Sequence, residues 1–339
     1  MLALVAAMGV VLPASLRADP SGPLPLRDRV LLGAYVQGLP YFEKADREFV
    51  RLEQRLGSKL PIVSGFVDWN YVFGNAHDLA LTAGGAHTLL YSWEPHCAPD
   101  GACVSFASVA RGELDAYLLR VAESMRRFPY DIYVRPWGEM NADWSAWQPG
   151  SGKPRAGTPE EFIAAWRHLR AVLDQAGVHN LKLIFNPDAT HDETTVPIAR
   201  IWPGAAYVDV LGIDGYNWGL GSKSAPGAWS EFEEIFAPMY QTLTELHPSA
   251  PVWICEVGSK EPRKNDGNVR PAPIDPKHKK SAWIDAMMSS RMFPRLTALV
   301  AFNVLKERDF RFESSDDSLL AIRRQLGLRA TSAPGRGDQ

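Results

Sequence analysis

Eight short runs of apolar residues, rich in β-branched and aromatic side chains, punctuate the chain: VLLGAYV (30–36), IVSGFVDW (62–69), HTLLYSW (87–93), DIYVRPW (131–137), LKLIFNP (181–187), VDVLGIDGY (208–216), PVWICEV (251–257) and LTALVAF (296–302). None alternates strictly with polar residues. That is the pattern of parallel strands buried on both faces, not of strands with one wet face. Between the runs, apolar residues recur at helical spacing. Phe42 to Leu56 carries Phe42, Ala45, Phe49, Leu52 and Leu56, and Arg111 to Phe128 carries Leu114, Leu118, Val121 and Met125. Pro159 to Ala176 is introduced by Thr158 and closed by Gly177, an N-cap before a first-turn proline and a glycine stop. Phe232 to Leu246, after a serine start at Ser230, Lys280 to Met288 and Ser318 to Leu326 complete the series. Eight strands alternating with helices predict an α/β fold, the closed (β/α)₈ TIM barrel. The rival, a doubly wound open sheet, usually has fewer strands and a glycine-rich phosphate turn, and the chain contains no G-x-G-x-x-G or P-loop sequence.

Length agrees with one such barrel: 339 residues, with the catalytic domain expected over 19–329 and a disordered tail over 330–339. A formal net charge of -3 offers no basis for a polyanion partner, so nucleic-acid binding is not expected. The cationic clusters Arg263-Lys264 and Lys277 to Lys280 read as solvated loop. Residues 1–18, MLALVAAMGVVLPASLRA, are apolar with Arg17 as the only charge, and read as a signal peptide ending at Ala18, although no basic residue precedes the apolar run. The expected product is a secreted or periplasmic protein with no membrane contact after cleavage. Export also makes a disulfide between Cys97 and Cys103 the natural reading of HCAPDGACV, whereas Cys255 reads as a buried thiol. The 11 tryptophans are many, and about half are expected in the core, with the rest free to pack on the C–H faces of sugar rings.

In this barrel class chemistry sits at the C-terminal ends of the strands. The fourth run ends in Arg135-Pro136-Trp137-Gly138-Glu139-Met140-Asn141 and the seventh in Cys255-Glu256-Val257-Gly258. The sixth ends in Asp214-Gly215-Tyr216-Asn217-Trp218, the third in Trp93-Glu94-Pro95-His96 and the second in Asp68-Trp69-Asn70. Carboxylates after strands four and seven would face each other across the mouth. Glycoside hydrolysis needs such a pair: one acid protonates the leaving oxygen while the other attacks the anomeric carbon or activates water. Glu256 directly follows an uncharged run from Pro251, where a carboxylate is costly without a reason. Tyr216 is placed to hydrogen-bond a neighbouring carboxylate and keep it ionised.

These segments resemble glycoside hydrolase family 26, the β-mannanase-type family of a retaining clan built on this barrel. YVRPWGEMNADWSAW (133–147) resembles the strand-four motif and implies Glu139 as acid/base; PVWICEVGSKE (251–261) implies Glu256 as nucleophile. VDVLGIDGYNWG (208–219) resembles the strand-six motif and implies Asp214 and Tyr216 as active-site residues, with Tyr216 beside the nucleophile. FNVLKERDFRFESS (302–315) resembles the closing segment, with Phe310 lining the cleft. One position departs from the family: Gly138 stands where a histidine usually precedes the acid/base, which opens the question of the sugar more than of the chemistry, with Trp137 expected to take over part of that space. The resemblance implies hydrolysis of a β-linked polysaccharide, with endo-β-1,4-mannan cleavage first and mixed-linkage β-glucan, β-xylan or an exopolysaccharide as alternatives. Arg135 and Asn141 would orient Glu139 or the sugar, and Asp214, Trp218, Trp93, Trp144 and Trp69 would form subsite walls. No cofactor or metal is called for, and a monomer is expected. A reading of another class is a non-catalytic glycan-binding protein that has kept the barrel; its signature would be the loss of one carboxylate.

Overall fold

The computed structural model describes residues 23–95, 104–150, 156–190, 194–219, 229–262 and 277–327. The segment 1–18, the Cys97–Cys103 pair and the tail 330–339 lie outside the described residues.

Each of the eight apolar runs forms a strand: β1 (Leu31–Tyr35), β2 (Ile62–Asp68), β3 (Thr88–Glu94), β4 (Ile132–Pro136), β5 (Leu181–Phe185), β6 (Val210–Asn217), β7 (Val252–Ser259) and β8 (Leu296–Phe302). They pair in sequence order, all parallel, and β8 returns to β1, closing the barrel. Closure leaves no sheet edge to protect, which is why runs this apolar are tolerated.

Six helices match the amphipathic stretches: α1 (Glu43–Leu56), α4 (Asp115–Arg127), α5 (Pro159–Gln175), α7 (Phe232–Leu246), α8 (Lys280–Ser289) and α9 (Asp316–Gln325). Three short ones, α2 (Ala76–Thr82), α3 (Phe106–Ala110) and α6 (Ile198–Ile201), escape the sequence pattern, because four to seven residues are too few to show a helical period. At α5 a capping box forms: the Thr158 hydroxyl accepts the Glu161 N–H and the Glu161 carboxylate accepts the Thr158 N–H at 2.9 Å. At α7 the N-cap is Glu231, one residue after the expected Ser230, because Glu231 and Glu234 make the same reciprocal box.

Strand alternation sorts side chains into an inner and an outer core. Ile62, Leu90, Ile184, Val210 and Ala298 fill the lower barrel, where Tyr133 and Trp253 stack at 4.2 Å. Higher up the interior turns polar, with Ser64, Ser92, Arg135, Asn186 and Asp214 all buried. The outer core, between strands and helices, holds most of the aromatic mass. Trp69, Trp93, Trp137 and Trp166 are each at most 5% exposed there.

Candidate active site

Strand β4 ends at Pro136, and the next three residues turn tightly. Trp137 and Glu139 both adopt left-handed backbone, with φ of 52° and 56°. For residues with a Cβ each such conformation costs about 1–3 kcal/mol and persists only when its surroundings impose it. Here they do. The Glu139 N–H donates to the Asn186 carbonyl at 2.8 Å, the Ala142 N–H donates to the Glu139 carbonyl at 3.0 Å, and the Trp147 indole N–H donates to the Gly138 carbonyl at 2.8 Å. The turn sends the Trp137 ring outward against Phe106, Phe162 and Trp166, and sets the Glu139 carboxylate at the mouth, where it accepts the Trp144 indole N–H at 2.7 Å.

Glu256 reaches the interior by another device. Along β7, Ile254 faces the outer core while Trp253 and Cys255 face the barrel, so strict alternation would turn Glu256 outward. The register with β6 slips by one residue: Ile213 pairs with Ile254, but Asp214 pairs with Glu256. Cys255 is the extra residue of a β-bulge, and the bulge re-aims Glu256 into the mouth.

Arg135, 1% exposed, joins the two strands' chemistry. Its guanidinium donates to one oxygen of Asp214 and one of Glu256, and lies 5.4 Å from the Phe66 ring. Burial works against the charge of Arg135, but Asp214 and Glu256 outweigh it and hold its pKa above the ordinary value. The Tyr216 hydroxyl donates to the second oxygen of Glu256. Burial, then the Glu256 charge, pushes the Tyr216 pKa upward, so the phenol stays a donor. Glu256 is thereby gripped on both oxygens.

Glu139 is treated differently. Burial first, then the negative charges of Asp188 and Glu256, raise its pKa to about 8, against the Trp144 hydrogen bond that lowers it. Asp214 is also raised, by burial first, with Arg135 opposing and Glu256 and Glu139 adding. Carboxylate oxygens of Glu139, Asp214 and Glu256 lie within 4.8 Å of one another. Three carboxylates so close could hold a divalent cation, but two of them already share the Arg135 guanidinium. The arrangement therefore sets a carboxyl whose pKa is raised beside one that two donors hold by both oxygens.

The other expected site residues divide. Trp144, 50% exposed, and Trp218, half-buried against Tyr216 at 5.6 Å, stand at the mouth. Trp93 and Trp137 have no exposed surface, and Trp69 is packed with both and with Tyr117, so these three are outer-core packing and form no wall of the cleft; nor does Trp137 take the space expected for it. Asp214 is a buried counter-ion to Arg135 with no exposed surface of its own. Arg135 holds Glu256 and not Glu139. Asn141 points at the strand-five loop, donating to the Asp188 carbonyl and accepting the Asp188 N–H, so it braces the turn that carries Glu139. Phe310, 2% exposed, packs behind Tyr216 at 4.9 Å and against Gly258, where a Cβ would meet its ring at 2.8 Å. A Cβ at Gly138 would meet nothing within 4 Å, and its φ is ordinary. The missing side chain there leaves open space beside Glu139.

Sequence reasoning passed over Asp188 and Asn186, which follow strand five, and named Glu94 at the end of β3 without giving it a role. The signal was present in FNPDAT (185–190), polar groups directly after an apolar run.

A family model, glycosyl hydrolase family 26, matches residues 102–263, the stretch that contains both Glu139 and Glu256. Endoglucanase H of Acetivibrio thermocellus is 31% identical over 304 residues, covering 89% of this chain; the chain spans 31% of that relative's length. The mannan endo-1,4-beta-mannosidase of Bacillus subtilis strain 168 is 28% identical over 118 residues, 32% of this chain and 31% of that protein. Among solved structures, a family 26 beta-mannanase from Bacteroides ovatus superposes with a TM-score of 0.58 at 18% identity, covering 89% of this chain and 90% of that one. An endo-beta-1,4-mannanase double mutant from Cellulomonas fimi gives 0.59 at 18% identity, covering 88% and 71%. At that identity the structural likeness establishes the shared (β/α)₈ fold.

Proposed function

The chain belongs to glycosyl hydrolase family 26, and on that premise we propose that it is a retaining endo-β-1,4-glycanase, with Glu139 as acid/base and Glu256 as nucleophile. One observation carries the mechanism: carboxylate oxygens of Glu139 and Glu256 lie within 4.8 Å of each other. Retaining glycosidases hold the pair ~5–5.5 Å apart, while inverting ones leave ~6.5–9.5 Å for a water. The unequal environments support the same roles. Glu139, with its pKa near 8, carries the proton that the leaving oxygen must take. Glu256, held by Arg135 and Tyr216, attacks C1 and forms the glycosyl–enzyme. The deprotonated Glu139 then takes a proton from water, whose oxygen displaces Glu256 and restores both groups. The exposed Trp144 beside Glu139 gives the departing sugar a ring to pack on.

Mannan is the first substrate, since relatives named mannan endo-1,4-beta-mannosidases match part of this chain. A β-1,4-glucan is the second reading. The relative with the longest reported match is named an endoglucanase, and Gly138 clears space beside the acid/base. Export through residues 1–18 belongs to the same proposal. The test is incubation with mannan, mixed-linkage β-glucan, cellulose and β-xylan, reading released reducing ends and, by NMR, the anomer first formed. New β-anomeric ends from mannan or glucan are expected. α-Anomeric first products would sink retention, and tight binding without turnover would leave a glycan-binding protein.

A further inference from the structure

Glu94 is the last residue of β3, in register with Asp68 of β2. Leu90 lies in the inner barrel core, and period-2 alternation carries Ser92 and Glu94 to the same inward face, Glu94 at the mouth. It is half-buried and has no hydrogen bond or ion pair among the described residues, whereas Arg135, Asp214 and Glu256 are all tied to one another. A desolvated carboxyl without partners is costly unless something else satisfies it. Burial raises its pKa, Arg135 and Lys306 draw it down and Glu256 pushes it up, so these three groups surround it. Tyr35 feels Glu256 and Glu94 together, and Tyr41 feels Asp68 and Glu94. Glu94, at the end of β3, therefore faces the β1–β2 side of the mouth, where Asp68 pairs with it and Tyr41 accepts the Asp68 N–H, while Glu139 turns from the end of β4 towards Asn186 and Asp188 after β5.

That placement has a chemical meaning once the double-displacement reading above is taken as its basis. The acid/base must reach the leaving oxygen, so the departing sugar lies on the Glu139 side. The sugar under attack sits over Glu256, and the chain beyond it runs away from Glu139, towards Glu94. The wall there continues in Tyr41, 52% exposed, whose hydroxyl accepts the Asp68 N–H, and in Lys306. We propose that Glu94, with Lys306 opposite it, binds hydroxyl groups of the glycone-side sugars and makes this a subsite for neutral hexopyranoses. A carboxyl that accepts or donates and an ammonium that donates can bracket a pair of sugar hydroxyls. A uronic acid there would set a further negative charge beside Glu94 and Glu256.

The experiment compares wild type, Glu94→Ala, Glu94→Gln and Lys306→Ala on polymer and on aryl β-glycosides of mannobiose and cellobiose, in which an aryl group replaces every leaving-side sugar. Glu94→Ala should lower kcat/KM by about tenfold or more on polymer and equally on the aryl glycosides, with the thermal midpoint unchanged. Glu94→Gln, which keeps both donor and acceptor, should recover most of the loss, and Lys306→Ala should cost a few-fold. An aryl glycoside cleaved by Glu94→Ala at the wild-type rate overturns the proposal while leaving the hydrolase reading intact. A wild type inactive on every substrate overturns that reading, and this one with it.

Discussion

The ends of strands β4 and β7 each deliver one glutamate to the same few ångströms of space, by opposite means. After β4, backbone strain over Trp137–Glu139 places a carboxyl among Asp188 and Glu256 with a single indole donor, and its pKa climbs to about 8. On β7, a bulge at Cys255 places Glu256 where Arg135 and Tyr216 meet both its oxygens. The lesson is that two identical side chains acquire different surroundings, one with its pKa raised and the other held by both oxygens, and that division is what the proposed acid and nucleophile roles require.

The largest effect that could break this comparison is on the nucleophile. Glu256→Ala should lower kcat by about 10⁴-fold or more on any β-glycan that is cleaved, and azide should restore turnover with an α-glycosyl azide as product. Loss of activity without rescue on an aryl glycoside would undo the assignment. Glu139→Ala should cost about 10²–10⁴-fold on polymer but much less on an aryl glycoside with an acidic phenol, because such a leaving group needs no proton. Equal losses on both substrates would argue that Glu139 is not the acid. Arg135→Leu should remove the clamp that ties the two strands together. It strands two buried carboxyls and should cost about 3–5 kcal/mol of stability, read by urea unfolding.

The finest test is pH dependence. Glu139 must hold a proton to act, so kcat/KM should fall as pH rises through about 8. Asp188→Asn removes a negative charge that raises the Glu139 pKa, so the alkaline limb should move to lower pH, by up to about one unit. Trp144→Phe removes a donor that favours the charged carboxylate, so the limb should move the other way. Shifts of the same sign in both variants would disconnect Glu139 from that limb.

The same alternation that serves chemistry at the mouth also explains where sequence reasoning went astray. Tryptophans beside strand-end carboxylates look like sugar platforms, and Trp144 and Trp218 stand where such platforms would. Trp69, Trp93 and Trp137 lie in the same sequence neighbourhoods, yet pack between barrel and helices, with Trp69 stacked on Tyr117 and Trp137 meeting Phe106 and Phe162 edge-on. The turn at 137–139 decides it: a left-handed step at Trp137 faces one ring outward two residues before another faces Glu139 inward. Asp214 likewise reads as a sugar contact from its motif, and only the buried guanidinium of Arg135 shows it to be a counter-ion.

The sequence by itself determined the barrel, because eight largely apolar runs separated by amphipathic stretches can be buried on both faces in few other ways, and a period of two or of 3.6 is a local property. It also determined that Glu139 and Glu256 sit after strands four and seven, since position in a closed barrel follows from counting. Tertiary structure alone decided which way each side chain points and what state it holds. Glu256 faces inward because a bulge against β6 re-aims it, and the Glu139 pKa is raised because the fold buries it and brings the charges of Asp188 and Glu256, 49 and 117 positions away, beside it. Both depend on distances in space that no spacing along the chain records.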